Sequence, residues 1–276
     1  MGFLENLKRA WAASGEDNIS ILAAGVAYYA FLAMVPLLAA GVLSYGLIAD
    51  PADVADHIAT LARSLPPSVA ELIGDQLESM VETSASAKGM GLILSLGVAI
   101  LGARAGAATL LHATALALND DSARNFIRTN LLALAVVLTA LFGAGLASGA
   151  IALSALLANA LPSVSGIGAF IARLASHAIV AITAALGAAA LYRKAPPGLE
   201  ITWRDAIPGS VFAGNAVLVF TALFGFYVTN FGNYNATYGS LGAVVILLTW
   251  LYLVAYTVLF GAEITATAHD GNPADG

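Results

Sequence analysis

Ionisable side chains are scarce in this chain, so the few inside long apolar runs are where chemistry would have to sit. Arg104 lies within GVAILGARAGAATLLHA, and His112 follows it. Eight residues of helix rotate by about 80°, so the two need not share a face. A cation at mid-membrane costs about 2.5–3.5 kcal/mol on insertion scales and therefore needs a partner, water or an interface. Arg104 reads as an anchor for an anionic substrate, as a structural partner of Glu263 or of backbone carbonyls, or as a side chain snorkelling to the interface. Glu263 closes the uncharged run YGSLGAVVILLTWLYLVAYTVLFGA, Tyr238–Ala262, and Asn215 sits about two turns into an apolar run of its own. Arg104, His112, Asn215 and Glu263 are thus the candidates for a substrate path or a buried polar network. Arg173 and His177 are spaced i,i+4 and share one helix face. With Asn233, Tyr234, Asn235 and Tyr238 of the segment TNFGNYNATYGS they form a candidate outer mouth. The plainer reading of those residues is interfacial anchoring and a polar turn.

Catalytic patterns are missing. The histidines fall at 57, 112, 177 and 269, without the spacing of a zinc or metalloprotease site. There is no P-loop, no G-x-S-x-G or S-x-x-K motif, and no cysteine to act as nucleophile, ligand or disulfide partner. The expectation is a non-enzyme with no cofactor and no metal. Net charge is −6 and no Lys/Arg cluster exceeds two adjacent residues, which argues against a nucleic-acid partner.

The elements that must carry these residues are membrane spans. Of 276 residues, 59% are hydrophobic and 10% charged, with a mean hydropathy of +0.85; soluble domains carry about 25% charged residues. Six apolar runs are long enough to cross a bilayer: Ile21–Ile48, Gly89–Leu118, Leu131–Ala158, Gly168–Tyr192, Ile207–Thr229 and Leu241–Ala268. They do not alternate as barrel strands would, so they must be helices. The fold class predicted is all-α, a polytopic membrane protein forming a single membrane domain over residues 1–276. Lys8/Arg9, Arg124/Arg128 and Arg193/Lys194/Arg204 fall on one side if the spans alternate, placing both termini in the cytoplasm. On that topology Glu263 lies near the cytoplasmic end of the last span, as a polar anchor rather than a catalytic acid.

Three segments do not span. Residues 1–18 carry Phe3, Leu4, Leu7 and Trp11 at helical spacing beside Lys8 and Arg9, which predicts a helix on the cytoplasmic interface. Residues 50–88 read as an acidic, extracytoplasmic hairpin of two amphipathic helices broken at Pro66-Pro67. It is either a solvated hairpin on the membrane face or a docking site for an envelope protein. Residues 269–276 read as a short tail. Pro36 should bend the first span, Pro208-Gly209 the fifth, and Thr202 and Asp205 have the spacing of a capping box. Gly102-x-x-x-Gly106 and Gly145-x-x-x-Gly149 would permit close helix contacts.

Three blocks carry a family resemblance: AAGVAYYAFLAMVPLL at Ala23–Leu38, WRDAIPGS at Trp203–Ser210, and the stretch from Tyr227 to Glu263. With them the chain resembles the YihY/BrkB family of bacterial inner-membrane proteins over most of its length. It departs at Ala33-Met34, where relatives commonly place a serine near the proline. The resemblance implies six helices with both termini inside. It also implies links to envelope and lipid transport and to serum resistance, and a ribonuclease label. An RNA phosphodiesterase would need metal ligands or an acid–base pair along a basic track, and the sequence has neither. The leading reading is a transporter or translocator of a lipid or other amphiphile, with membrane lipids as partners. The alternative is a scaffold or assembly factor, and an intramembrane enzyme ranks last.

Overall fold

The computed structural model describes residues 3–48, 85–160, 167–231 and 240–270, and among these every regular element is a helix. In chain order they are α1 (Phe3–Glu16), α2 (Ile19–Ile48), α3 (Ala85–Ala117), α4 (Phe126–Ala160), α5 (Ile167–Lys194), α6 (Trp203–Phe231) and α7 (Ser240–Asp270). The last six hold the six predicted spans, and each extends past its apolar run at one or both ends. Five pass as spans on length and hydropathy; α1 with the start of α2 passes as a bent sixth. Leu94, Leu138, Phe142 and Leu186 are more than half exposed, as lipid-facing side chains must be when the surrounding solvent is hydrocarbon. The predicted hairpin at 50–88 and the outer-mouth residues Asn233, Tyr234, Asn235 and Tyr238 lie outside the described residues.

Two asparagines end helices by entering the left-handed region. Asn119, at φ 58°, follows α3. Its N–H donates to the Leu116 carbonyl at 2.9 Å and the Asp120 N–H to that of Ala115 at 2.9 Å. This paired closure satisfies carbonyls that the helix end would otherwise orphan. Asn18, at φ 52°, sits between α1 and α2, where the two helices meet at 71°. At Pro36, where a bend is expected, α2 continues as one helix. The break the structure shows is at Asp17-Asn18.

The described chain divides into two compact units. The first comprises residues 1–26, 107–221 and 253–276; the second comprises 27–106 and 222–252. In the first, α4 packs along α5, with the Ser176 hydroxyl donating to the Ala150 carbonyl at 3.2 Å. Gly214 abuts Ala181 and Ala185 of α5. Gly209 of α6 and Gly261 of α7 meet backbone to backbone, and a Cβ on either would overlap the other's carbonyl oxygen. The Tyr192 hydroxyl, wholly buried, donates to the Val258 carbonyl at 2.7 Å beside that crossing. Ala10 of α1 joins Phe260 and Ile264 in a small core. In the second unit, Gly102 packs on Ala33 and Gly106 on Tyr29 and Ala30, so this small-xxx-small pair makes a close helix contact. Gly145 and Gly149 have open space where a side chain would go.

The start of α6 is the one its cap specifies. Its helix begins at Trp203, a turn before the apolar run, because Thr202 and Asp205 form the reciprocal cap that their spacing predicted. The Asp205 N–H donates to Thr202 Oγ1 at 3.3 Å, while the Thr202 N–H donates to Asp205 Oδ2 at 3.4 Å. Pro208 therefore lies inside the helix, where it supplies no N–H to the carbonyl one turn earlier. The last helix, α7, runs to Asp270 and takes in His269, which the sequence assigned to a tail.

Two stability outcomes follow. Asn119→Gly should leave thermal unfolding in detergent nearly unchanged, whereas Asn119→Ala should cost up to about 1–2 kcal/mol, because alanine lacks the short polar side chain that lets asparagine tolerate the left-handed region. Gly209→Leu should destabilise by about 1–3 kcal/mol or more through overpacking, read as a lower unfolding midpoint than wild type.

Candidate functional site: a basic cleft

The first unit holds a cleft of about 690 Å³ where the start of α4 and the α5–α6 link lie beside the end of α7. Arg128, Arg193, Lys194, Glu200, Trp203 and His269 are its polar and aromatic walls. Arg193 is held in place rather than waving in solvent. Its Nε donates to the Ile201 carbonyl at 3.0 Å, and its guanidinium carbon stands 4.4 Å from the centre of the Trp203 ring. Hydrogen bond and cation–π contact together fix the plane of the fork.

The negative charges nearest the cleft are spent internally. Asp205 accepts the Thr202 hydroxyl at 2.7 Å, and its Oδ2 lies 3.2 Å from His269 Nδ1. Asp120 is buried and binds the opposite link: its Oδ2 accepts the Gly198 N–H at 2.6 Å and the Leu199 N–H at 3.1 Å. Its Oδ1 accepts the Ser122 N–H at 3.0 Å. Burial alone would raise the Asp120 carboxyl, but these hydrogen bonds hold it below the ordinary carboxylate range. Arg124 Nη2 reaches the Lys194 carbonyl at 3.5 Å, while its buried Nε has no acceptor. The cleft therefore presents Arg128, Arg193 and Lys194 against the carboxylate of Glu200.

The residues singled out from sequence are not gathered into one site. Arg104 is half-buried in the second unit and makes interactions of its own. His112 and His177 are exposed, and Arg173 lies in α5. Asn215 is exposed and donates one amide N–H to the Val211 carbonyl of its own helix at 2.8 Å. Glu263 is completely buried. The ionisable group beside it is Asp17, a second carboxyl. Among the described residues no group of three or more His, Cys, Asp or Glu is placed to hold a metal. The cleft's own residues entered the sequence reading as orientation signals, caps and belt aromatics. The available clue was that Arg128, Arg193, Lys194 and Trp203 all fall at span ends on one predicted side.

Long apolar helices with exposed hydrocarbon faces and a charged cleft at their ends define a multi-pass helical membrane protein. The family model described as "Virulence factor BrkB" matches residues 10–275, and the chain belongs to that family. It is 28% identical over 264 residues to a UPF0761 membrane protein of Psychromonas ingrahamii, covering 94% of this chain and 86% of that one. It is 26% identical over 274 residues to UPF0761 membrane protein PSHAa0171 of Pseudoalteromonas translucida, covering 94% and 84%. A ribonuclease-like protein, YfkH, of Bacillus subtilis strain 168 is 42% identical over 80 residues, 29% of each chain. No solved structure matches the chain. The protein is thus a multi-pass protein of the bacterial inner membrane.

The Asp120 tie should depend on pH. A folded-state carboxyl below its unfolded value near 3.9 contributes stability that is complete above about pH 4 and lost as pH falls through the folded value. Exchange protection of the Gly198 and Leu199 amides should therefore drop selectively below about pH 4. Asp120→Ala should remove that protection at neutral pH and cost about 1–3 kcal/mol for the donors left unpaired.

Proposed function

We propose that this protein is a translocator of a lipid or other amphiphile across or within the inner membrane, acting in envelope biogenesis. The observation that carries the reading is the basic cleft opening at Trp203 beside an apolar helix face. Trp203, Ile207 and Val211 recur every four residues along α6, and each is about half exposed, so a polar head and a hydrocarbon tail have adjoining places to rest. By the positive-inside rule the cleft belongs to the cytoplasmic end, within reach of inner-leaflet headgroups. The name of the Bacillus relative offers a second class, RNA cleavage. Against it stand an absence of metal ligands among the described residues and a short basic surface where a nucleic-acid track would be needed.

Reconstitution tests this directly. Purified protein in vesicles containing fluorescent envelope phospholipids should accelerate transbilayer exchange over protein-free vesicles. The triple variant Arg128→Gln, Arg193→Gln, Lys194→Gln should lose most of that acceleration, and Arg104→Ala should show whether the second unit shares the path. Folded wild-type protein that moves no envelope lipid would overturn the proposal in favour of a scaffold.

A further inference from the structure

We infer that Arg193 is the specificity-determining residue of the cleft and that it selects the phosphate of an anionic phospholipid. The inference rests on the amphiphile reading and adds the class of headgroup. Arg193 donates Nε to the Ile201 carbonyl and stacks on Trp203, which leaves the rest of its fork oriented at the cleft wall it lines. A planar fork held this way pairs with phosphate oxygens bidentately and loses little side-chain entropy on doing so. Lys194 and Arg128 bring point charges to the same volume, and a tetrahedral phosphate offers oxygens to cations converging from several directions.

The acid inventory sharpens the choice. Asp205 is held by Thr202 and His269, and Asp120 by three backbone amides, which leaves Glu200 as the carboxylate of the cleft wall. Three cations against one carboxylate favour a headgroup with net negative charge. A zwitterionic choline headgroup would bring its own cation against Lys194 and Arg128. Behind the wall, Arg124 holds the Lys194 carbonyl, and the neighbouring Asp120 carboxylate offsets its charge, so the cations that face the ligand are those of the cleft wall itself. The tail assignment follows from Trp203, Ile207 and Val211. Their exposed apolar stripe begins at the residue on which Arg193 stacks, so the ligand is a lipid rather than free phosphate.

The experiment uses the full chain in nanodiscs of mixed phosphatidylglycerol and phosphatidylcholine, with retained lipid counted by native mass spectrometry. Wild type should retain phosphatidylglycerol over phosphatidylcholine. Arg193→Gln should cut that preference about tenfold, the worth of one charge-assisted pair of about 1.4 kcal/mol. Arg193→Lys keeps the charge but not the fork and should also lose most of it, whereas Lys8→Gln on α1 should lose none. Equal retention of the two lipids, or an Arg193→Gln protein indistinguishable from Lys8→Gln, would overturn the inference. So would displacement of the lipid by millimolar inorganic phosphate, which would make free phosphate the ligand. Transbilayer exchange measured on the same samples separates the two proposals. Selective retention without movement overturns translocation alone, and movement without selectivity overturns the phosphate assignment alone.

Discussion

Hydrocarbon supplies no hydrophobic drive between helices, because a lipid tail is as apolar as the surface it would have to leave. What joins α6 to α7 is therefore shape: Gly209 and Gly261 let the two backbones touch where any side chain would collide. Van der Waals contact along that crossing is supplemented by the Tyr192 hydroxyl reaching the Val258 carbonyl. Everything at this end of the molecule inherits its register from the contact. Asp205 is one turn before Gly209 and His269 two turns after Gly261, so the antiparallel crossing is what brings these two side chains to 3.2 Å. Trp203 and the capped start of α6 follow from the same alignment.

The cleft has a second support, made of charge rather than shape. Asp120 fastens the α5–α6 link to the α3–α4 link through backbone amides, and its position is set by the left-handed Asn119 just before it. The tie is made to main-chain N–H groups, and it also calls for glycine at 198, where a Cβ would meet Ser122 Oγ at 2.7 Å and Asp120 Oδ1 at 3.2 Å. Arg128, Arg193 and Lys194, at the helix ends that flank these links, are thus displayed on a frame that they do not themselves hold together, apart from the bond of Arg193 to Ile201 and the reach of Arg124 to the Lys194 carbonyl.

Much of the fold was legible because the bilayer leaves few options. A run such as Tyr238–Ala262 can only be a helix, and Thr202 with Asp205 announced its cap by spacing alone. An end without such a signal was less legible: α7 reaches Asp270 and takes in His269, beyond its apolar stretch. Little of the site was visible. Asn215 looked like a polar residue in need of a partner, yet it bonds its own backbone. Arg128, Arg193 and His269 belong to different helices, and their convergence depends on helix crossings that local periodicity does not encode. Glu263 illustrates the gap in the opposite direction. Its position in a span was plain, but its full burial beside another carboxyl needed the three-dimensional arrangement of α1 against α7.

The hydroxyls within the helices have a mechanical meaning. Thr139 bonds the Ala135 carbonyl, Thr257 that of Leu253 and Thr265 that of Gly261, each within its own helix. A helix whose polar side chains are closed upon itself can shear along its neighbour without breaking those bonds. The resistance it meets comes from side-chain interdigitation, which small residues such as Ala and Gly keep shallow. In the first unit, Ser176 to Ala150 and Tyr192 to Val258 act as pins between helices, and the surfaces between the pins are smooth. Such helices can slide with the hydrogen bonds inside each of them intact, and the two interhelical pins are what such sliding would have to break.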